Sequence, residues 1–181
     1  MSGEMPGEGW FDIVSLNVSE RTGTRKRPVP SFRLEEGRGV AGDAHEGLIE
    51  NRQVSFLAVE EIEAASATIC NANGGRDRAE KDAADPGAAA GGSAQLVALK
   101  PGDFAENVTT RGVRLHELPI GTVIEMGGAV LELSKIGKEC HAACEIKRLV
   151  GDCVMPRRGI FARVTKGGTV SNADRGHYRI G

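Results

Sequence analysis

The stretch KIGKECHAACEIKRLVGDCVMPRRGIFARV, residues 135–164, holds three of the four cysteines in the 181-residue chain and one of its four histidines. Four chemistries are open to it: a metal site, a disulfide, a buried apolar patch or a reactive thiol. Cys140 and Cys144 are four residues apart and would share one face of a helix. His141 would lie about a hundred degrees round from Cys140, an awkward geometry for three ligands from one turn. Cys140-x3-Cys144 is half of a structural zinc site, but Cys70, His116 and His177 are isolated in sequence and supply no second half. Lys147 stands where the third cysteine of a Cys-x3-Cys-x2-Cys cluster motif would be. Cys70, Cys144 and Cys153 also suit small buried hydrophobes, as free cysteines often do. Cys140 differs in its ionic company, Lys135, Lys138, Glu139 and His141. Such surroundings, and a helix beginning nearby, favour the thiolate.

Three further stretches carry polar groups in turn-rich contexts. GRGVAGDAHEGLIENRQV, residues 37–54, presents Asp43 and His45 in a glycine-rich loop opening at Gly42. The amides of such loops can receive anions; the alternative is a turn with a surface histidine. KPGDFAENVTTRGVRL places Glu106 and Asn107 inside an apparent strand, where an acid and an amide do not serve a core. MPRRGIF adds Arg157 and Arg158, whose guanidinium forks suit phosphate or carboxylate, or else sit on a solvated turn.

The elements that must position these residues read as mainly β. Alternation from Trp10 to Val18 predicts a first strand. SERTGTRKRPVP is a turn-forming segment with a basic run, Arg25 to Arg27, and PSFRLEEGRGVAGD supplies a short strand and a loop. QVSFLAV predicts a strand running into a short amphipathic helix with Ile62, Ala65 and Ile69 on one side. Residues 71–93 hold almost no large apolar side chain and read as a flexible insertion. FAENVTT and GVRL read as short extended pieces. TVIEMGGAVLELSKIG is a hairpin around Gly127-Gly128, and IFARVTKGGTV reads as a second around Gly167-Gly168. CEIKRLV between them predicts a short helix. Twenty-five glycines and many short strands point to a mainly β fold with a few short helices, closed into a barrel-like sheet.

The bulk composition sets limits. A chain of 181 residues, 40% hydrophobic and 27% charged, has the size and make-up of one globular domain. A net charge of -2 offers no electrostatic case for nucleic acid. Neither a signal-peptide pattern nor an uncharged run of membrane-spanning length is present in the sequence. A cytoplasmic protein with reduced thiols is the expectation, so a structural disulfide is disfavoured.

In order and spacing, these stretches resemble the MOSC domain, named for the C-terminal domain of molybdenum-cofactor sulfurases. The matching pieces are GVAGDAHEG, RQVSFLAVEEI, LKPGDFAENVTTRGVRLHELPIGTVIEMGGAVLELSKIGKECHAAC and GDCVMPRRGIFARVTKGGTV, which span about residues 10–170 outside the insertion. The resemblance implies one β-barrel domain and a role in molybdenum-cofactor or sulfur handling. It implies that Cys140 either carries sulfur as a persulfide, received from a pyridoxal-phosphate-dependent cysteine desulfurase, or is the thiolate ligand to molybdenum in a bound molybdopterin. Cys144 would then be a resolving thiol. Gly42, Asp43, His45, Glu106, Asn107, Arg157 and Arg158 would line the cofactor pocket, the arginines and the Gly42–Gly47 amides meeting the pterin phosphate. Related members reduce N-hydroxylated compounds. The additional N-terminal β domain and ferredoxin-like segment of larger relatives have no counterpart here, so any electrons would come from a partner. A cysteine desulfurase or a molybdenum-cofactor enzyme is the partner that the resemblance implies. The family usually has glycine where Ala105 stands.

Overall fold

The computed structural model describes residues 7–74, 98–138 and 153–181, with backbone only for 68–74. Cys140, His141, Cys144, the expected CEIKRLV helix and most of the expected insertion therefore lie outside the described residues.

The described strands are β1 (Glu8–Val18), β2 (Arg27–Val29), β3 (Ser31–Glu35), β4 (Gly39–Val40), β5 (Val54–Ala58), β6 (Val108–Arg111), β7 (Val123–Met126), β8 (Ala129–Ile136), β9 (Ile160–Lys166), β10 (Gly168–Ser171) and β11 (Arg175–Arg179). Helix α1 (Val59–Gly74) and the one-turn α2 (Met155–Arg158) accompany them. Seven strands close into a barrel in the order β1-β6-β5-β9-β8-β7-β11, with β11 returning to β1. All neighbours are antiparallel except β5 and β6, whose connection contains α1. A parallel pair needs such a crossover. Strand β2 extends the sheet from the far end of β1, and a second sheet, β10-β3-β4, lies outside the closure.

Alternation explains the barrel's filling. Phe11 and Ile13 on β1, Ile124 and Met126 on β7, and Leu131 and Leu133 on β8 are all buried in one cluster. β5 is buried on every residue, because its inner face meets that cluster while Leu57 meets a second one under the helices. This second cluster joins Leu57, Ile62, Phe104, Cys153, Met155 and Phe161. Cys153 is thus a core side chain. Ile62 and Ala65 of α1 face this core as their spacing predicts. The helix also runs to Gly74, four residues into the stretch expected to be insertion. Among the described residues no helix is long and apolar enough to cross a membrane.

Two sequence readings need correction. GVRL is not extended: Gly112 to Arg114 form an irregular link into a 3-10 turn at Leu115–Glu117. IFARVTKGGTV is not a hairpin, since β10 pairs with β3 and not with β9. A tight hairpin needs positive φ at its turn, and Gly127 has it at 53° between β7 and β8. Gly167 and Gly168 do not adopt it; they serve close approach instead. A Cβ on Gly168 would stand 2.4 Å from the backbone of Gly128, and one on Gly167 2.8 Å from the Leu34 carbonyl. The glycines let the chain step off the barrel into the second sheet. Gly168→Ala is accordingly expected to cost about 2 kcal/mol, read as a lower urea midpoint, with no comparable loss for Gly7→Ala, where a Cβ meets nothing within 4 Å.

Candidate functional site

Three connections meet at one end of the barrel: residues 19–26 after β1, residues 41–53 before β5, and residues 98–107 before β6. Their joint is a buried ion pair. Lys26 Nζ donates to Asp43 Oδ1 at 2.7 Å and Oδ2 at 2.5 Å, with both side chains nearly sealed from solvent. Asp43 also accepts the Ser19 amide at 3.0 Å and the His45 amide at 3.0 Å. Burial pushes its carboxyl up, but the bonds from His45 and Lys26, the Lys26 charge and the Ser19 amide together hold it well below the usual carboxylate range. Asp43 is an anchor behind the loop.

The loop is also closed to anions at its backbone. The amides of Gly42, Asp43, Ala44, His45, Glu46 and Gly47 donate respectively to Glu46 Oε2, Val40 O, Ser19 O, Asp43 Oδ1, Asp43 O and Arg38 O. Glu46 thus occupies the place an external anion would take. The Gly42 amide, with Arg38, holds the Glu46 carboxyl below its ordinary value.

Glu106 and Asn107 precede β6, in a turn and not in the strand. Asn107 Oδ1 accepts Ser55 Oγ at 2.9 Å and the Ser55 amide at 3.2 Å, while Nδ2 donates to the Asn17 carbonyl at 3.2 Å. It ties β5 to β1 across the barrel end. Glu106 is fully buried; its Oε1 accepts the Gly102 amide at 2.6 Å and Thr109 Oγ1 at 2.8 Å, and Oε2 has no partner among the described residues. Burial pushes its carboxyl up to about 7, against those hydrogen bonds. Between them and Phe104, Ala105 holds φ 63°, the only described non-glycine residue with positive φ. A side chain there is strained where glycine would be relaxed.

Beside this joint lies a cavity of about 170 Å³. Its polar walls are His45, Arg52, Ser55, Asn107 and Lys138; its apolar walls are Leu48, Ile49, Ala105, Met155 and Phe161. No described acidic side chain lines it. The Arg52 guanidinium lies over the Phe161 ring, 5.8 Å from its centre, a cation–π contact that holds the fork at the wall. Lys138 precedes Cys140 by two residues.

Of the residues singled out in sequence, His45 and Asn107 reach this cavity. Gly42, Asp43 and Glu106 stand behind it as supports. Arg157 and Arg158 are exposed on α2 and do not line it. Arg158 Nη1 donates to His116 Nε2 at 2.7 Å and its Nε lies 3.7 Å from Glu61. Burial, then the Arg158 charge, lowers the His116 pKa, which keeps the ring neutral and able to accept. Cys140 and Cys144 lie outside the described residues. No group of three potential metal-binding side chains exists among those described. Sequence reasoning missed Arg52, Ser55 and Phe161 as wall residues, and Lys26 as the anchor's partner. The Arg25–Arg27 run was visible, but burial of its middle member was not.

The MOSC domain model matches residues 42–175, about three quarters of the chain. The chain belongs to the MOSC domain family. Solved structures place the fold alongside: YuaD from Bacillus subtilis aligns at TM-score 0.70 and 17% identity over 96% of this chain and 98% of that one. YiiM from Escherichia coli aligns at 0.59 and 16%, over 94% and 69%. YiiM from Geobacillus stearothermophilus aligns at 0.57 and 16%, over 91% and 72%. No curated protein matches the sequence.

Two expectations follow for this MOSC site. Ala105→Gly should raise stability by about 1 kcal/mol, the αL penalty net of glycine's entropy, read from urea unfolding. For Glu106, folded and unfolded chains are both protonated well below pH 4.5. As pH rises from about 4.5 to about 7 the unfolded carboxyl ionises while the folded one keeps its proton, so its contribution to stability falls over that window and is flat above it. Glu106→Gln should remove that fall, on the order of 2–3 kcal/mol between pH 4.5 and 8, measured as the difference between wild-type and variant unfolding free energies.

Proposed function

We propose that this MOSC protein works in molybdenum-cofactor and sulfur metabolism, with the cavity beside Lys138 as its site. The supporting observation is the cavity's lining: the cations Arg52 and Lys138 and the polar His45 ring on its walls, and no described acid. That set fits a phosphate-bearing pterin. Arg52 and Lys138 would hold the phosphate, since a guanidinium fork and an ammonium both match phosphate oxygens; Phe161 and Met155 would face the flat ring. Ser55 and Asn107, already bonded to each other, would keep the floor rigid. Cys140 would supply a thiolate ligand to molybdenum, and the bound group would supply the redox and sulfur chemistry. This assigns the phosphate to Arg52 and Lys138 in place of Arg157, Arg158 and the Gly42–Gly47 amides.

Persulfide carriage on Cys140 is a second reading, favoured by the cationic Lys138 on the cavity wall, because a nearby cation promotes a thiolate. In that case sulfur would come from a cysteine desulfurase partner, which alone would hold the pyridoxal phosphate. Reduction of N-hydroxylated substrates would require an electron-supplying partner.

Protein made in a host that synthesises molybdopterin should carry about one pterin and one molybdenum per chain. Arg52→Ala should weaken pterin retention about tenfold or more, as loss of a hydrogen bond to a charged group does. In parallel, incubation with a cysteine desulfurase and cysteine should add one sulfur to Cys140 by mass spectrometry, with no gain in Cys140→Ala. Sulfur spread evenly over all four cysteines, together with stoichiometric zinc and no pterin, would sink both readings.

A further inference from the structure

His45 is the one cavity residue whose ring is held from behind by an ionised carboxylate. Its Nδ1 lies 3.2 Å from Asp43 Oδ1 and 3.4 Å from Lys26 Nζ. Distance indicates how these atoms pair. The Lys26 ammonium has three closer acceptors, Asp43 Oδ1 at 2.7 Å, Asp43 Oδ2 at 2.5 Å and Ser19 Oγ at 3.3 Å. His45 Nδ1 lies nearer the carboxylate than the ammonium, and an unprotonated Nδ1 would set its lone pair against those of Oδ1. Asp43 is ionised and only accepts, so the Nδ1 proton belongs to the imidazole and points at Oδ1. In that tautomer the lone pair is on Nε2, which has no partner among the described residues, and the ring lines the cavity. A carboxylate that fixes the tautomer of a histidine while the other nitrogen faces a ligand space is the arrangement of a positioned base.

We propose that His45 is the proton acceptor of this cavity and that the acid it serves is a thiol. The second half rests on the sulfur-handling reading and narrows it. Carboxylic acids arrive already ionised at neutral pH and alcohols are far too weak for imidazole. Thiols, near pKa 8.5 in water, are protonated yet within its reach. The surroundings suit sulfur too: Leu48, Ile49, Met155 and Phe161 offer soft apolar contact, while Arg52 and Lys138 stabilise the anion formed. In the step, the S–H proton moves to Nε2 and the electron pair stays on sulfur. The products are a thiolate and an imidazolium bonded to Asp43, with no oxidant or reductant involved. Asp43 acts as a positioning residue, and Lys26 keeps it ionised.

The test is 15N NMR of the imidazole rings in the full-length protein, with His45→Gln to assign the signals and phenylmethanethiol as probe. Without probe, Nδ1 should appear protonated and Nε2 unprotonated. With probe at neutral pH, Nε2 should move to the protonated region, with thiolate absorbance rising in step; phenylmethanol should leave it unmoved. Asp43→Asn should abolish the response, and if that variant does not fold, the wild-type tautomer and its response decide alone. An Nε2–H tautomer in the free protein, or an Nε2 signal indifferent to the thiol, would overturn the proposal. Neither cofactor nor desulfurase is used, so the result stands apart from whether Cys140 carries sulfur or molybdenum.

Discussion

The buried pair of Lys26 and Asp43 is the constraint on which the site end of the barrel depends. Two opposite charges sealed from water tolerate little rearrangement, because removing one partner leaves the other desolvated and unpaired. Asp43 adds backbone bonds to Ser19 and His45, so a single carboxylate fixes the chain leaving β1, the chain entering β5 and the ring of His45. Lys26 adds the third connection through its own backbone: its amide donates to the Gly102 carbonyl at 2.9 Å. Its carbonyl packs so closely on Gly102 that a Cβ there would meet it at 2.3 Å. The three loops are thereby tied into one hydrogen-bonded unit.

From that unit the division of labour among the polar residues follows. Asp43, Glu106 and Asn107 are buried because the loops have no secondary-structure ladder, and their amides need other acceptors. The side chains provide them. Arg52, Lys138 and His45 remain at the cavity because apolar neighbours support their stems or rings while their polar ends reach open space. Ala105 sits between the two sets, its positive φ set by the Gly102–Asn107 turn, in which its amide donates to the Gly102 carbonyl at 3.0 Å. Strain at one residue on the cavity wall persists because the turn around it is over-determined.

Much of the fold was legible from local pattern. The first strand, the β5–α1 unit, the β7–β8 hairpin and the barrel-like class follow from alternation, helical spacing and a Gly-Gly turn, all short-range signals. The supposed hairpin at Gly167-Gly168 failed because a glycine pair has two uses, positive φ and close backbone approach, and only the neighbouring sheet shows which applies. Arg157 and Arg158 raise a related point. A guanidinium's suitability for phosphate is a property of the residue, but its direction is set by α2, which turns Arg158 toward His116 and Glu61.

The sequence by itself determined the mainly β fold class, the gathering of polar residues in the 37–54 and 100–115 stretches, and, through resemblance, the family. Tertiary structure decided which of those residues are walls and which are supports. The GDAHEG loop looks like an anion cradle until its amides are followed to their internal acceptors, and the Lys26–Asp43 pair joins residues 17 positions apart that no motif connects. Burial and hydrogen-bond partnership are properties of the whole packed chain. A residue's type states what chemistry it can do; only its neighbours in space settle whether that capacity is already satisfied or still open to a ligand.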